Sequence, residues 1–284
     1  MIIVTGATGQ LGRQIVQRLV GRVGAERVGV SVRDPAKADD LAAAGVRVRH
    51  GDFDDPASLA HAFEGAEQVL VISAAVNGET AIRYSTAAIT AAKQAGAQRI
   101  LYTSHMGSAA DSAFPPMRVH AAVEQVLAGC GVPFTSLRNG FYISSALQQV
   151  RGALASGVLT VPQDAPFAWT AHADLAEVAA ITLADGGLDG VSPALTGSEL
   201  TDIAGVARIA SEVTGRPIRH EVLSDEDFRA AKLAQGLPEV AVEMGLGMFV
   251  ASRRGDFAPT DPTLERIVGH PATQLREAVQ AALS

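Results

Sequence analysis

A short apolar run, Ile2 to Thr5, breaks directly into Thr5-Gly6-Ala7-Thr8-Gly9-Gln10-Leu11-Gly12. It then continues as a segment whose apolar positions, Leu11, Ile15, Val16, Leu19 and Val20, recur at helical spacing. A strand that turns through three glycines into a helix leaves few folds open. Gly6 permits the tight turn. Gly9 lets a ligand approach the backbone with no Cβ in the way. Gly12 allows the helix to pack close to the strand. The free amides and positive end of that helix then face any phosphate held at the turn. Gly6, Ala7, Thr8, Gly9, Gln10, Leu11 and Gly12 are therefore the candidate pyrophosphate loop of a dinucleotide site. A glycine triplet also serves a simple tight turn. Its position here, opening a βαβ unit of about 30 residues, favours the dinucleotide reading.

The pattern repeats along the chain. Arg27 to Val32 reads as a second strand, and an alanine-rich helix follows over roughly Pro35 to Ala44. Val46 to His50 is a third strand, Pro56 to Phe63 a helix and Gln68 to Ile72 a fourth strand. A long helix over Ala81 to Ala95 precedes a strand from Arg99 to Thr103, a helix around Arg118 to Leu127 and a strand from Phe134 to Leu137. Strands separated by helices imply an α/β fold, a doubly wound parallel Rossmann sheet in the order 3-2-1-4-5-6 with one extra strand. After Asn139 the rhythm changes. Residues 140–168 and 217–260 read as irregular, the latter through Pro217, Pro238, Pro259 and the Met/Gly-rich stretch Met244 to Phe249. His172 to Leu183 and Thr201 to Thr214 read as helices. The expected division is a nucleotide-binding unit of residues 1–139, 169–216 and 261–284, and a small discontinuous substrate lobe of residues 140–168 and 217–260.

The second strand ends Ser31-Val32-Arg33-Asp34. A site that selects NAD wants a carboxylate at this strand tip. Arg33 stands there instead, where a guanidinium can pair with a 2′-phosphate, and Lys37 adds charge. NADP(H) is the expected cofactor. NAD(H) is the alternative if Asp34 takes a ribose hydroxyl, and a solvated surface arginine is the plainer reading of Arg33. After the third strand, Asp52 can accept from the adenine amino group and Phe53 can lie on the ring face. Asp55 can cap the helix starting at Pro56. Ser73 and Ala74, at the end of the fourth strand, are small enough to leave room for the cofactor.

Composition excludes other classes. The formal charge is -7, from 30 acids against 23 bases, with no Lys/Arg run, so nucleic acid is not an expected partner. No apolar stretch reaches the roughly 18 residues of a membrane span. Cys130 is the only cysteine. An intrachain disulfide and a thiolate metal cluster are thereby ruled out, and a structural thiol is expected. Residue 2 already begins a core strand, which leaves no room for a signal peptide and points to the cytoplasm. No residues stand at metal-ligand spacing, so no metal is expected. Homo-oligomer formation stays open.

Taken together, the loop from Thr5 to Gly12, Arg33, Gly51-Asp52-Phe53, Leu101-Tyr102-Thr103-Ser104 and Leu137-Arg138-Asn139-Gly140-Phe141-Tyr142 resemble the NmrA-like atypical short-chain dehydrogenases. The resemblance is to the NAD(P)H:quinone oxidoreductase and triphenylmethane reductase branch. Ile267-Val268-Gly269-His270-Pro271 near the end adds to it. It spans nearly the whole chain, and Leu137 to Tyr142 is its most specific part. It implies that Gly6 to Leu11, Arg33, Ser73, Ala74, Ala75, Thr103 and Leu137 to Tyr142 line the cofactor, with Asn139 to Tyr142 near the nicotinamide. Ser104, His105 and Met106 would face the substrate. Phe141 and Tyr142 can equally be ordinary packing at a strand end.

One departure restricts the chemistry. Ordinary short-chain dehydrogenases use Tyr-x-x-x-Lys for proton transfer. This chain has tyrosines only at 84, 102 and 142, and Ala88, Met106 and Ala146 lie four residues beyond them. The corresponding helix carries His120 and Glu124, an i, i+4 pair that reads either as structural or as a weak acid/base relay. Reducing a simple ketone makes an alkoxide that needs a positioned acid, typically worth 10² to 10⁴ in rate. Reducing a quinone makes an aromatic oxyanion with a proton affinity like that of tyrosine, pKa about 10. A cationic dye needs no proton at all. The expected reaction is hydride transfer from NADPH to a quinone-like or dye-like acceptor, with Ser104, His105, Asn139 and Tyr142 positioning the reactants. A non-catalytic, NADP(H)-sensing regulator of the same family is the alternative. A nucleotide-sugar epimerase, which needs the Tyr/Lys pair, is disfavoured.

Overall fold

The β-branched runs Ile2–Thr5 and Val28–Val32 are buried on both faces, as the central strands of a covered parallel sheet must be. The computed structural model describes residues 1–283. In chain order its strands are β1 (Ile2–Thr5), β2 (Val28–Val32), β3 (Arg47–His50), β4 (Gln68–Val71), β5 (Arg99–His105), β6 (Phe134–Asn139), β7 (Phe141–Tyr142), β8 (Val158–Pro162), β9 (Trp169–Thr170), β10 (Gly190–Val191) and β11 (Arg219–Leu223). The helices are α1 (Gln10–Val23), α2 (Asp39–Ala43), α3 (Pro56–Ala62), α4 (Gly78–Gln94), α5 (Pro115–Gly129), α6 (Ile143–Ser156), α7 (His172–Asp185), α8 (Ile203–Thr214), α9 (Asp225–Ala234), α10 (Glu239–Arg253), α11 (Thr263–Val268) and α12 (Leu275–Leu283).

The main sheet has seven strands in the order β3-β2-β1-β4-β5-β6-β10. Every pairing in it is parallel. This is the expected order with one added strand. Helices α1, α7 and α11 cover one face, packing Leu11, Ile15 and Leu19 against Val4, Val30 and Leu175. Helices α3, α4 and α5 cover the other, where Tyr102, Val69 and Ile100 meet Leu59, Ile89 and Val123. The order reverses between β1 and β4, so a crevice opens beyond their carboxyl ends, the place where such sheets bind ligands. The two strand ends are tied together there, because Ile72 N donates to Thr5 Oγ1 at 2.9 Å.

Several elements differ from expectation. The alanine-rich helix after β2 splits into a 3-10 turn over Pro35–Ala38 and the short α2, because the Asp34 carboxylate caps Ala36 N and starts the turn early. The segments read as irregular are largely regular. Residues 143–156 form α6, whose buried Ile143, Ala146, Leu147, Val150 and Ala153 follow a helical stripe. The Met/Gly-rich stretch lies inside α10. Its glycines do not break the helix; they let it approach its neighbour. A Cβ on Gly247 would sit 2.4 Å from the Ala113 carbonyl oxygen.

A third apolar cluster joins α6, β8, α9 and α10 to α8 and α12 through Ile203, Val206, Leu275 and Val279. Helices α8 and α12, expected in the nucleotide-binding unit, share this cluster with α6, β8, α9 and α10. Two short sheets pair β8 with β11 and β7 with β9.

Candidate active site

The turn after β1 is built as a phosphate cradle requires. Gly6 holds φ +61, a left-handed conformation that a side chain would strain. Gly9 N donates to Gly6 O at 3.0 Å and closes the turn. Gly12 cannot carry a side chain, since its Cβ would meet Gly6 O at 2.3 Å. Gly9 precedes α1 without any side-chain cap, so the first amides of the helix have no side-chain acceptor. Gly6, Thr8, Gly9 and Gln10 are exposed on this turn, whereas Ala7, Leu11 and Gly12 are buried and shape it from beneath.

One strand over, Arg33 is exposed, and among the described residues nothing bonds its guanidinium. Asp34 is occupied: it caps Ala36 N and stands 3.7 Å from Lys37 Nζ. Arg13, on the first turns of α1, pairs with Asp40 and donates to Lys37 O at 3.0 Å. A pocket edge with a free guanidinium and a committed carboxylate suits a phosphate better than a ribose hydroxyl. The residues present thus fit a phosphorylated dinucleotide, with amides for the diphosphate and Arg33 for the 2′-phosphate. Asp52 accepts from Asp54 N at 3.0 Å, and Asp55 caps α3. Phe53 is half-buried and packs on Tyr84 with ring centroids 5.6 Å apart.

Beyond β4, Ser73 and Ala74 are half-buried and Ala75 is exposed. Thr103 is buried, and its hydroxyl accepts from Ser73 N at 2.9 Å, so it holds the 73–75 loop rather than facing a ligand. Ser73, Ala74 and Ala75 border a cavity of about 270 Å³ that Tyr102, His120 and Met244 also line. Met244 also lines a larger groove of about 840 Å³ in the small lobe, together with Phe114, Phe141, Met248 and Phe249.

His105 ends β5 inside an aromatic group. Its ring lies edge-on to Phe141 at 5.2 Å and to Phe257 at 5.7 Å. Gly107 N donates to its Nδ1 at 3.1 Å. Burial, and then the neighbouring His120, push its pKa down to about 3, so the ring is neutral. Met106 is buried, and its amide donates to Asn139 O at 2.8 Å. Asn139 is buried, and burial raises the pKa of the Tyr142 hydroxyl. The Tyr142 ring packs on His172 at 4.3 Å.

The remaining predicted positions serve as support. Ser104 is buried and its hydroxyl donates to Glu124 Oε1 at 2.8 Å; it does not face an acceptor. Arg138 Nη2 reaches Glu124 Oε2 at 2.7 Å, so its guanidinium is committed to a carboxylate and not to the cofactor. Leu137 is buried in the core. A Cβ on Gly140 would meet Thr170 Oγ1 at 2.1 Å, which makes that glycine a packing requirement between β6 and β9.

The His120–Glu124 pair does not exist as a bonded unit. Glu124 accepts from Ser104, from Ser108 at 3.1 Å, from Ser136 at 3.0 Å and from both sides of Arg138. Burial raises its pKa, but Arg138 and the hydroxyls more than offset this and leave it ionised below the usual carboxylate range. His120 instead meets Tyr102, with Nδ1 2.9 Å from the phenolic oxygen. Neither Tyr102 nor Met244 was legible as a site residue. Eighteen residues separate Tyr102 from its histidine partner, and no local spacing marks the contact.

A profile of the NmrA-like family matches residues 1–280. The chain belongs to the NmrA-like family. It is 35% identical to quinone oxidoreductase 2 of Escherichia coli (strain K12) over 280 residues, covering 98% of this chain and 97% of that one. Among solved structures, an NADPH-dependent quinone oxidoreductase from Escherichia coli complexed with NADPH superposes with a TM-score of 0.94 at 34% identity, covering all of both chains. The triphenylmethane reductase of Citrobacter sp. complexed with NADP(H) gives 0.90 at 32% identity, also over both full chains. Among the described residues, no helix is long and apolar enough to cross a membrane, and no group of three or more His, Cys, Asp or Glu is placed to hold a metal ion.

Proposed function

We propose that this protein is an NADPH-dependent oxidoreductase that passes hydride to quinones or similar conjugated, electrophilic small molecules. The observation that carries this reading is the uncapped start of α1 behind Gly6 and Gly9 combined with the partner-free Arg33 one strand away. The named activities of its full-length relatives, a quinone reductase and a dye reductase, support the same class of acceptor. NADPH supplies the hydride when bound. The amides of the 6–12 loop hold the diphosphate, Arg33 with Lys37 holds the 2′-phosphate, and the 73–75 loop borders the nicotinamide half. Asn139 and Tyr142 orient that end of the site. Phe114, Phe141 and Met244 form a largely apolar wall, with His105 edge-on to Phe141, against which a planar acceptor is oriented. No tyrosine in the chain has a lysine four residues on, so acceptors whose reduced form is a weakly basic aryl oxide are the suitable ones.

The test mixes purified protein, NADPH and a panel of quinones and follows the nicotinamide absorbance. Oxidation above the uncatalysed rate with at least one quinone is expected. Tight NADPH binding without turnover across the panel would replace this reading with that of a sensor.

A further inference from the structure

The cavity bounded by Ser73, Ala74 and Ala75 carries an imidazole, that of His120, in its wall. Its orientation is set from behind. Tyr102 has no exposed surface, and among the described residues the geometric hydrogen-bond partner of its hydroxyl is His120 Nδ1. The phenol proton is thereby left to point at His120 Nδ1, 2.9 Å away. Burial raises the Tyr102 pKa, so the phenol keeps that proton. A neutral imidazole whose Nδ1 accepts must carry its single proton on Nε2. Among the described residues, Nε2 has no partner, and it is not sealed from the cavity as a buried orphan would be.

The groups around the ring do not change this. From β5 it meets Tyr102 and the neutral His105, stacked at 6.2 Å. On its own helix Glu124 lies one turn away with both oxygens taken. Burial holds the His120 pKa down to about 4, so the ring is uncharged at neutral pH.

We propose that His120 is a catalytic hydrogen-bond donor: its Nε2–H, fixed in that tautomer by the buried Tyr102 phenol at Nδ1, bonds the oxygen of the bound acceptor. On taking hydride from NADPH, a quinone becomes a hydroquinone monoanion, and the new charge develops on that oxygen. The Nε2–H bond strengthens as it does so. The proton stays on nitrogen, and water protonates the released monoanion afterwards. A preorganised donor aimed at developing charge typically contributes 10² to 10³ in kcat. This inference rests on the quinone-reductase reading above and deepens it by naming acceptors that carry a carbonyl-type oxygen.

Two measurements test it. Nitrogen-15 NMR of the protein alone, with the His120 signal assigned by its loss in His120→Gln, should show Nε2 protonated and Nδ1 bare. Tyr102→Phe should allow both tautomers. A proton on Nδ1 in the wild type overturns the proposal.

Steady-state kinetics with a quinone then compares wild type, His120→Leu and His120→Gln. His120→Leu should lose about 100-fold in kcat, with NADPH affinity and quinone KM changed less than about 3-fold. His120→Gln keeps an N–H and should recover about 10-fold of that loss. If His120→Leu fails to bind NADPH, His120→Gln and Tyr102→Phe carry the comparison, and wild-type kcat in both overturns the proposal. Wild-type kcat in His120→Leu refutes the donor role alone. A wild type inactive with every quinone removes the reading on which it rests, and the proposal with it.

Discussion

Glu124 ties the site together, and its removal should be costly. Five donors converge on one buried carboxylate: three serine hydroxyls and two nitrogens of Arg138. They come from β5, the turn after it and β6, and so pin α5, the helix that carries His120, to the strand ends that carry His105 and Asn139. Glu124→Ala would leave a guanidinium and three hydroxyls without their acceptor. Breaking a buried ion pair from one side typically costs about 3–5 kcal/mol. The Glu124 side chain is 9% exposed but that of Arg138 is 31%, so solvent can rescue the arginine in part. A loss of about 3 kcal/mol is expected. Urea unfolding followed by circular dichroism reads this directly, as a lowered midpoint at unchanged slope.

The acid limb gives a second readout. The folded pKa of Glu124 lies below its unfolded value, so its contribution is present above about pH 4.5 and is lost as pH falls through the folded value. The alanine variant should therefore lose less stability than wild type between pH 4.5 and 3. A destabilisation under about 1 kcal/mol, together with an unaltered acid limb, would refute the idea that this carboxylate holds the strand ends to α5.

Three further outcomes can be checked. Arg33→Ala removes a charge-assisted phosphate contact worth about 1.5–3 kcal/mol, so KM for NADPH should rise about 10- to 100-fold while KM for NADH moves less than about 2-fold; equal changes would count against the 2′-phosphate role. Gly12→Val forces side-chain atoms into the Gly6 carbonyl and should abolish NADPH binding in a calorimetric titration, with wild-type binding arguing that the turn is not the cradle. His105 and His120 have folded pKa values of about 3 and 4, below the unfolded value of about 6.5. The stability each contributes is present above pH 6.5 and falls by about 1.4 kcal/mol per pH unit as pH drops from there toward 4, a slope that His105→Phe should reduce in urea titrations.

The amino-acid sequence alone determined the order of strands and helices up to Asn139, the glycine turn, the Asp55 cap and the basic strand tip at Arg33. Each follows from side chains a few residues apart: the periods of 2 and 3.6, a cap two or three residues from its amides, or a turn that only glycine can make. The missing Tyr-x-x-x-Lys was legible for the same reason. Tertiary structure alone decided the rest. Whether Glu124 served His120 or Arg138, and whether Ser104 faced a ligand or the core, depended on strands brought beside α5 from 12 to 20 residues away. That α10 requires Gly247 depended on a backbone more than a hundred positions earlier pressing against it. Hydrogen-bond partners and close backbone approaches are set by three-dimensional packing, where many pairings compete for each polar group, and only the folded chain selects among them.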